Sequence, residues 1–254
     1  MMTLDPRALP AYARRVLDLA ETDPQLRELM PDGAVEEALG RPDLSFEQAL
    51  ATVLDTYAER PALGERGYDI ALGDSGRHVR AWNPWFRTIT YGELHGQITG
   101  LASSWRHQPR HRVDPGDFVC VLGTTSIDFV TIDLACAFAH AVSVPLQGTM
   151  GAANLDRILH DTTPTTVAAT VAELSLAAEL VAAHPSVRSL VVIDSDERVD
   201  DEREAIEAAA ETLGRSRSSA ALVMLAELVA RGAAEPWTPL PPAPEGNDRL
   251  ALLV

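Results

Sequence analysis

The chain has 254 residues, 46% of them hydrophobic and 23% charged, with 37 acidic side chains against 21 basic ones and a net charge of −16. A globular chain of this length buries roughly 70–75% of its extended surface, so a full core is within reach and a wholly disordered chain is excluded. All 21 basic residues are Arg and there is no Lys; scattered, outnumbered cations argue against a nucleic-acid partner, because phosphate backbones are gripped by clustered Lys and Arg.

Cys120 and Cys136 both sit in apolar surroundings, which reads as two buried thiols in a reducing compartment and not as a disulfide framework. The opening residues carry no apolar signal core. The apolar run Leu134–Leu146 is broken by His140 and is shorter than the ~20 residues a bilayer needs. A soluble, cytoplasmic protein without a membrane span is expected.

The first sixty residues read as helical. Asp5-Pro6 resembles an N-cap and first turn, and Leu9, Ala13, Val16, Leu17 and Ala20 share a face. Ser45-Phe46-Glu47-Gln48 is a capping box that opens a helix to about Glu59, where Arg60-Pro61 stops it. Residues 62–90 change character. Gly64, Gly67, Gly73 and Gly76 punctuate short β-like pieces with Trp82, Trp85 and Phe86, which predicts a hairpin or meander with a loop at 73–76. Thr90-Tyr91-Gly92-Glu93 is a second capping box. Its helix carries Leu94, Ile98, Leu101 and Trp105, and the stretch on to His111 reads as a solvated, basic end.

From Phe118 the chain alternates. Strands are predicted at Phe118–Leu122, Val142–Leu146, Thr166–Thr170 and Ser189–Ile193, with helices at 126–139, 151–160 and 172–183. Short, nearly continuous Val/Leu/Ile strands separated by helices mean a parallel sheet covered on both faces. The fold class is therefore α/β: N-terminal helices, then a doubly wound, mostly parallel sheet. Helices are also predicted at 201–213 and 219–231, with Gly232 as the C-cap of the second. A Pro-rich connector spans 233–248, and Arg249–Val254 reads as the opening of a buried strand. Ligands bind beyond the carboxyl ends of such strands, so the chain reads as the front part of something larger.

The candidate chemistry is thin. Asp194, Asp196, Asp200 and Asp201 lack the glycine-turned loop of a cation site and read as a solvated acidic loop. His107 and His111 have i, i+4 spacing, but Pro109 between them breaks the helix a metal pair needs. His78, His95, His160 and His184 read as isolated surface residues. Gly73-Asp74-Ser75-Gly76 reads as a turn and not as a serine nucleophile. Gly123-Thr124-Thr125-Ser126 joins a strand to a helix, where amides can hold an anion, although Ser126 as a plain N-cap is favoured. No catalytic, cofactor-binding or metal-ligating residue is assigned.

One set of segments carries a resemblance. In order these are Arg60-Pro61-Ala62-Leu63, Ile89-Thr90-Tyr91-Gly92-Glu93-Leu94, residues 113–119 (VDPGDFV), residues 132–136 (IDLAC), residues 141–147 (AVSVPLQ), residues 185–192 (PSVRSLVV) and Leu250-Ala251-Leu252-Leu253. Together they resemble the N-terminal part of the adenylation domain of carboxylic acid reductases, within the adenylate-forming superfamily of acyl-CoA synthetases and luciferases. The resemblance implies a helical extension at 1–60 and a partial AMP-binding domain at 61–254. In the intact family, a carboxylate is activated with ATP and Mg to acyl-AMP, captured by a phosphopantetheine arm and reduced by NADPH. The family's phosphate loop follows the strand at which this chain stops, and its catalytic Lys lies later. The implied function is that of an N-terminal fragment of a carboxylate-activating enzyme, inactive by itself and without cofactors of its own, with the carboxylate a partner only of the intact enzyme. Two alternatives stand beside it: a fatty-acid or acyl-CoA ligase fragment, and a non-catalytic remnant acting as a binding module. Self-association through an exposed sheet edge is a further expectation. His140 stands where the family usually has Gly, and Gly148-Thr149-Met150-Gly151 departs from the family's usual stretch.

Overall fold

The computed structural model describes residues 10–216, 218–241 and 246–253. The chain separates into two compact units, residues 1–44 and 45–254. Among its described residues the first unit holds three helices, α1 (Ala11–Thr22), α2 (Pro24–Leu29) and α3 (Gly33–Leu39). Asp23 caps α2 by accepting from the amides of Gln25 and Leu26, and Asp32 caps α3 through Ala34. The Asp5-Pro6 start lies outside the described residues. Val16 and Leu17 of the predicted apolar face are exposed, and Ala20 is buried.

The second unit opens with α4 (Phe46–Thr56) and a long antiparallel hairpin, β1 (Pro61–Leu72) and β2 (His78–Thr90). Ser45 and Gln48 form both halves of a capping box on α4. The hairpin turn closes through Gly73 N–H to Arg77 O (2.8 Å), with Gly76 at φ +73°. Bulges shift its register, and Trp85 lies flat over Gly67, where any Cβ would collide with the indole.

Next come α5 (Tyr91–His107), opened by the Thr90/Glu93 capping box, then β3 (Phe118–Leu122), α6 (Ile127–Ala139), β4 (Val142–Leu146), α7 (Ala152–Thr162), β5 (Thr166–Thr170), α8 (Leu174–Ala183), β6 (Ser189–Ile193), α9 (Asp200–Ser216), β7 (Ala221–Met224) and α10 (Leu225–Ala233). The five strands β4-β3-β5-β6-β7 are parallel throughout. Val119, Val121, Ala168, Val191, Ile193 and Val223 face α5, α6 and α10, packing against Ile98, Leu101, Trp105, Ile132 and Leu228. Cys120, Leu122, Val144, Val167, Leu190 and Val192 face α7, α8 and α9, packing against Leu155, Leu159, Leu174 and Leu213. The α/β, doubly wound reading is the observed architecture.

Several expectations are corrected. The helix predicted over 219–231 begins as strand β7, because Ala221–Val223 pair in register with Ser189–Val191; a short apolar run takes the sheet's hydrogen bonds when an edge is open beside it. Gly232 is not the C-cap, which falls at Ala234. Gly232 instead faces Gly100 of α5, so closely that a Cβ there would overlap the Gly100 carbonyl oxygen. The closing segment is not buried. Leu252 bridges Ser143 in parallel as an added edge strand beside β4, with Leu250 and Leu252 about half exposed.

Candidate functional site

In a parallel sheet the loops after the strands meet at the carboxyl edge, where ligands bind. Here that edge is built from the loop after β3, the turn after β4, the short turn before α8 and the segment after β6. Gly123 leaves β3 at φ +157°, and a Cβ there would stand about 2.5 Å from Thr170 Cγ2, so only Gly lets the ends of β3 and β5 approach this closely. Ser126 then accepts from Phe129 N–H (3.1 Å) as the N-cap of α6, its favoured role. After β4, Gly148 lies under the Glu173 carboxylate, which occupies the space a side chain would need.

The segment after β6 is the most densely charged. Asp194 adopts a left-handed backbone (φ +55°) and donates its amide to Asp128 Oδ2 at 2.8 Å. Burial pushes the Asp194 carboxyl up to about 6, against the hydroxyl of Ser126 and reinforced by the Asp128 and Glu65 charges. Burial raises Asp128 as well. Arg80 of β2 spans this cluster. It donates Nε to Glu202 Oε1 (2.6 Å) and Nη2 to Glu202 Oε2 and the Asp194 carbonyl (2.7 Å each), while its guanidinium lies 4.3 Å from the Tyr68 ring centre. Tyr68 donates to Asp196 Oδ2 at 3.1 Å. The Arg198 hydrogen bond holds Asp196 down at about 2. Hydrogen bonds from the His78 amide and Arg203 do the same for Asp200. Arg77 pairs with Asp201 (2.7 Å) and Glu204 (2.8 Å).

The acidic run is therefore not the solvated loop read from sequence. It is the seat on which the β1–β2 hairpin docks, and arginines supply the counter-charge. A cavity of about 280 Å³ opens beside it, lined by Asp128, Asp196, Glu197, Arg198 and the start of α10. Among the described residues no group of three or more His, Cys, Asp or Glu is placed to hold a metal ion.

The histidines are rearranged too. His107 and His111 do not converge: His107 Nδ1 turns back to Ser103, while His111 is buried with Nδ1 2.9 Å from Ser189 Oγ. Burial lowers the His111 pKa, helped by Arg231 and Arg110. The basic end predicted there is solvated at Arg106, His107, Pro109 and Arg110, and only His111 turns into the core. His95 pairs with Asp55 (2.8 Å), His184 with Asp156 (3.0 Å) and His78 with Asp200 (3.4 Å), so these three are not isolated. His140 caps α6 in the left-handed region (φ +56°), a position that suits Gly, and is buried with Nε2 3.1 Å from Glu47 Oε1. The sequence held no signal for that pair across 93 positions. Cys120 and Cys136 are buried, and burial pushes the Cys120 thiol up to about 12 and Cys136 well above its ordinary value. Trp105 is buried, while Trp82 and Trp85 are half exposed on the hairpin.

With this geometry in place, the family model described as AMP-binding enzyme matches residues 75–254. The chain belongs to the AMP-binding enzyme family. It is 41% identical to the carboxylic acid reductase of Mycobacterium tuberculosis over 242 residues, 95% of this chain and 20% of the relative. It superimposes on the A-PCP didomain of the carboxylic acid reductase from Segniliparus rugosus, in complex with AMP, with a TM-score of 0.89 and 37% identity over 96% of this chain and 34% of that one. The A domain of the same reductase, in complex with AMP and a co-purified carboxylic acid, gives 0.89 and 36% over 96% of this chain and 39% of that one. The chain thus spans about a fifth of the length of the curated relative it matches. No helix among the described residues is long and apolar enough to cross a membrane.

The residues at the carboxyl edge do not fit a nucleotide triphosphate. Its charged groups include the carboxylates Asp128, Asp194, Asp196 and Glu173, and Arg80 and Arg198 are already held by Glu202 and Asp196. A polyphosphate needs uncommitted cations and amide donors instead.

Proposed function

We propose that this chain is the N-terminal part of an enzyme that activates a carboxylic acid with ATP, giving acyl-adenylate and pyrophosphate, and that the chain alone does not carry out the reaction. In the whole enzyme a phosphopantetheine arm would take the acyl group and NADPH would reduce the thioester to an aldehyde. Residues 61–254 would form part of the AMP-binding domain, preceded by a helical extension. The observation that carries the reading is the match over 96% of the chain to an A domain that holds both AMP and a carboxylic acid. Inactivity of the chain alone is read from its carboxyl edge, where carboxylates stand and, among the described residues, Arg80 and Arg198 are committed to Glu202 and Asp196. Transition-state charge in such a transfer is held by preorganised cations and backbone donors.

The test is carboxylate-dependent exchange of labelled pyrophosphate into ATP, with aliphatic and aromatic acids. It is run on the 254-residue chain and on this chain joined in frame to the remaining adenylation domain of the Mycobacterium tuberculosis relative. The chain alone is expected to give the blank rate and the fusion a carboxylate-dependent rate. Exchange by the chain alone would overturn its inactivity. A folded fusion without exchange would overturn the activation role and leave a binding role.

A further inference from the structure

The last described residues hold to the sheet by little. Ser143 N–H donates to Ala251 O (3.0 Å) and Leu253 N–H donates to Ser143 O (2.9 Å), one parallel bridge at the edge of β4. Leu250, Leu252 and Leu253 are between a third and a half exposed, so apolar burial contributes modestly. One side chain of the segment goes inward. The Arg249 side chain is only 12% exposed, and its Nη2 lies 3.5 Å from Glu47 Oε2 and 3.4 Å from the Ala137 carbonyl. Glu47 is itself largely buried in the first turn of α4, and its other oxygen faces His140 Nε2 at 3.1 Å. Burial works against the Glu47 charge, but hydrogen bonds from its own backbone and Ser45, with the charges of His140 and Arg249, hold the carboxylate below its usual range.

We propose that Glu47, braced by His140 and gripping Arg249, is a latch that holds residues 249–253 as an edge strand beside β4, and that this segment opens and closes as a unit on its own. The physical case is asymmetric. Two backbone hydrogen bonds at an exposed edge exchange for water at little net cost. A guanidinium withdrawn from water loses far more when its carboxylate partner is removed. Releasing Arg249 to solvent then requires the strand to leave β4. The left-handed His140 belongs to the same device. A Gly suits that backbone, whereas His fills the space beside α4 and meets Glu47. The inference goes beyond carboxylate activation and does not depend on it.

Amide hydrogen exchange, read residue by residue by NMR on the 254-residue chain, tests the latch, because opening of one segment shows as lost protection there alone. In E47Q the Leu253 amide is expected to lose at least tenfold protection, while Ala168 in β5 keeps the parent rate. R249Q, a change within the segment itself, is expected to do the same. The double variant is expected to match either single one, since both act through one contact. Leu253 protection within twofold of the parent in both single variants would overturn the latch. So would an equal loss at Leu253 and Ala168, or losses that multiply in the double variant.

Discussion

Asp194→Asn isolates one buried charge with little change of shape. Asn tolerates the left-handed backbone that Asp194 adopts, the amide bond to Asp128 is kept, and the carbonyl that Arg80 bonds is untouched. The folded chain holds the Asp194 proton up to about 6, whereas the unfolded chain releases it near 3.8. Between those values the folded state binds more protons, so this carboxyl makes the protein less stable as pH rises through the window and imposes a constant penalty above it. About two pH units at 1.36 kcal/mol each set a ceiling of about 3 kcal/mol. Partial exposure screens the charge and lowers the expectation to about 1–2 kcal/mol. Urea unfolding followed by circular dichroism at pH 4 to 8 reads the difference directly. D194N is expected to match the parent near pH 4 and to exceed it by about 1–2 kcal/mol above pH 7, which raises Tm by roughly 3–6 °C. A variant equal to or weaker than the parent at pH 7.5 would refute the reasoning, as would an advantage that is the same at every pH.

Two further outcomes are expected. Gly232→Ala sets a methyl group against the Gly100 carbonyl and forces α5 and α10 apart, which costs about 3 kcal/mol and is read as a lower urea midpoint; a silent substitution would mean that the helices separate freely. Cys120 and Cys136, buried and with raised thiol pKa values, are expected to resist a thiol reagent at pH 8 in the native chain and to react together once the chain is unfolded in denaturant, as counted by mass spectrometry.

Much of this architecture is local and therefore legible. The Ser45/Gln48 and Thr90/Glu93 capping boxes each satisfy two backbone donors within one helical turn, and both form as read. The pentads at 118–122, 142–146, 166–170 and 189–193 are strands at those bounds, because runs of buried β-branched residues flanked by turns have one economical way to hydrogen-bond. The ordered set of short motifs was enough to name the family that the match over residues 75–254 then showed.

What sequence could not show depends on partners distant in the chain. Ala221–Met224 reads as the first turn of a helix until β6 offers it an edge. Gly232 reads as a terminator until Gly100 lies against it. The acidic run at 194–204 reads as solvent-facing until Arg77 and Arg80, more than a hundred residues earlier, arrive on a hairpin. His140 reads as a misfit at a Gly position until Glu47 meets its ring and Arg249 closes on the same carboxylate. Propensity and capping are set within one or two turns of chain. A charge's burial and its counter-ion are set by whichever element the fold carries past it, and that was decided only in three dimensions.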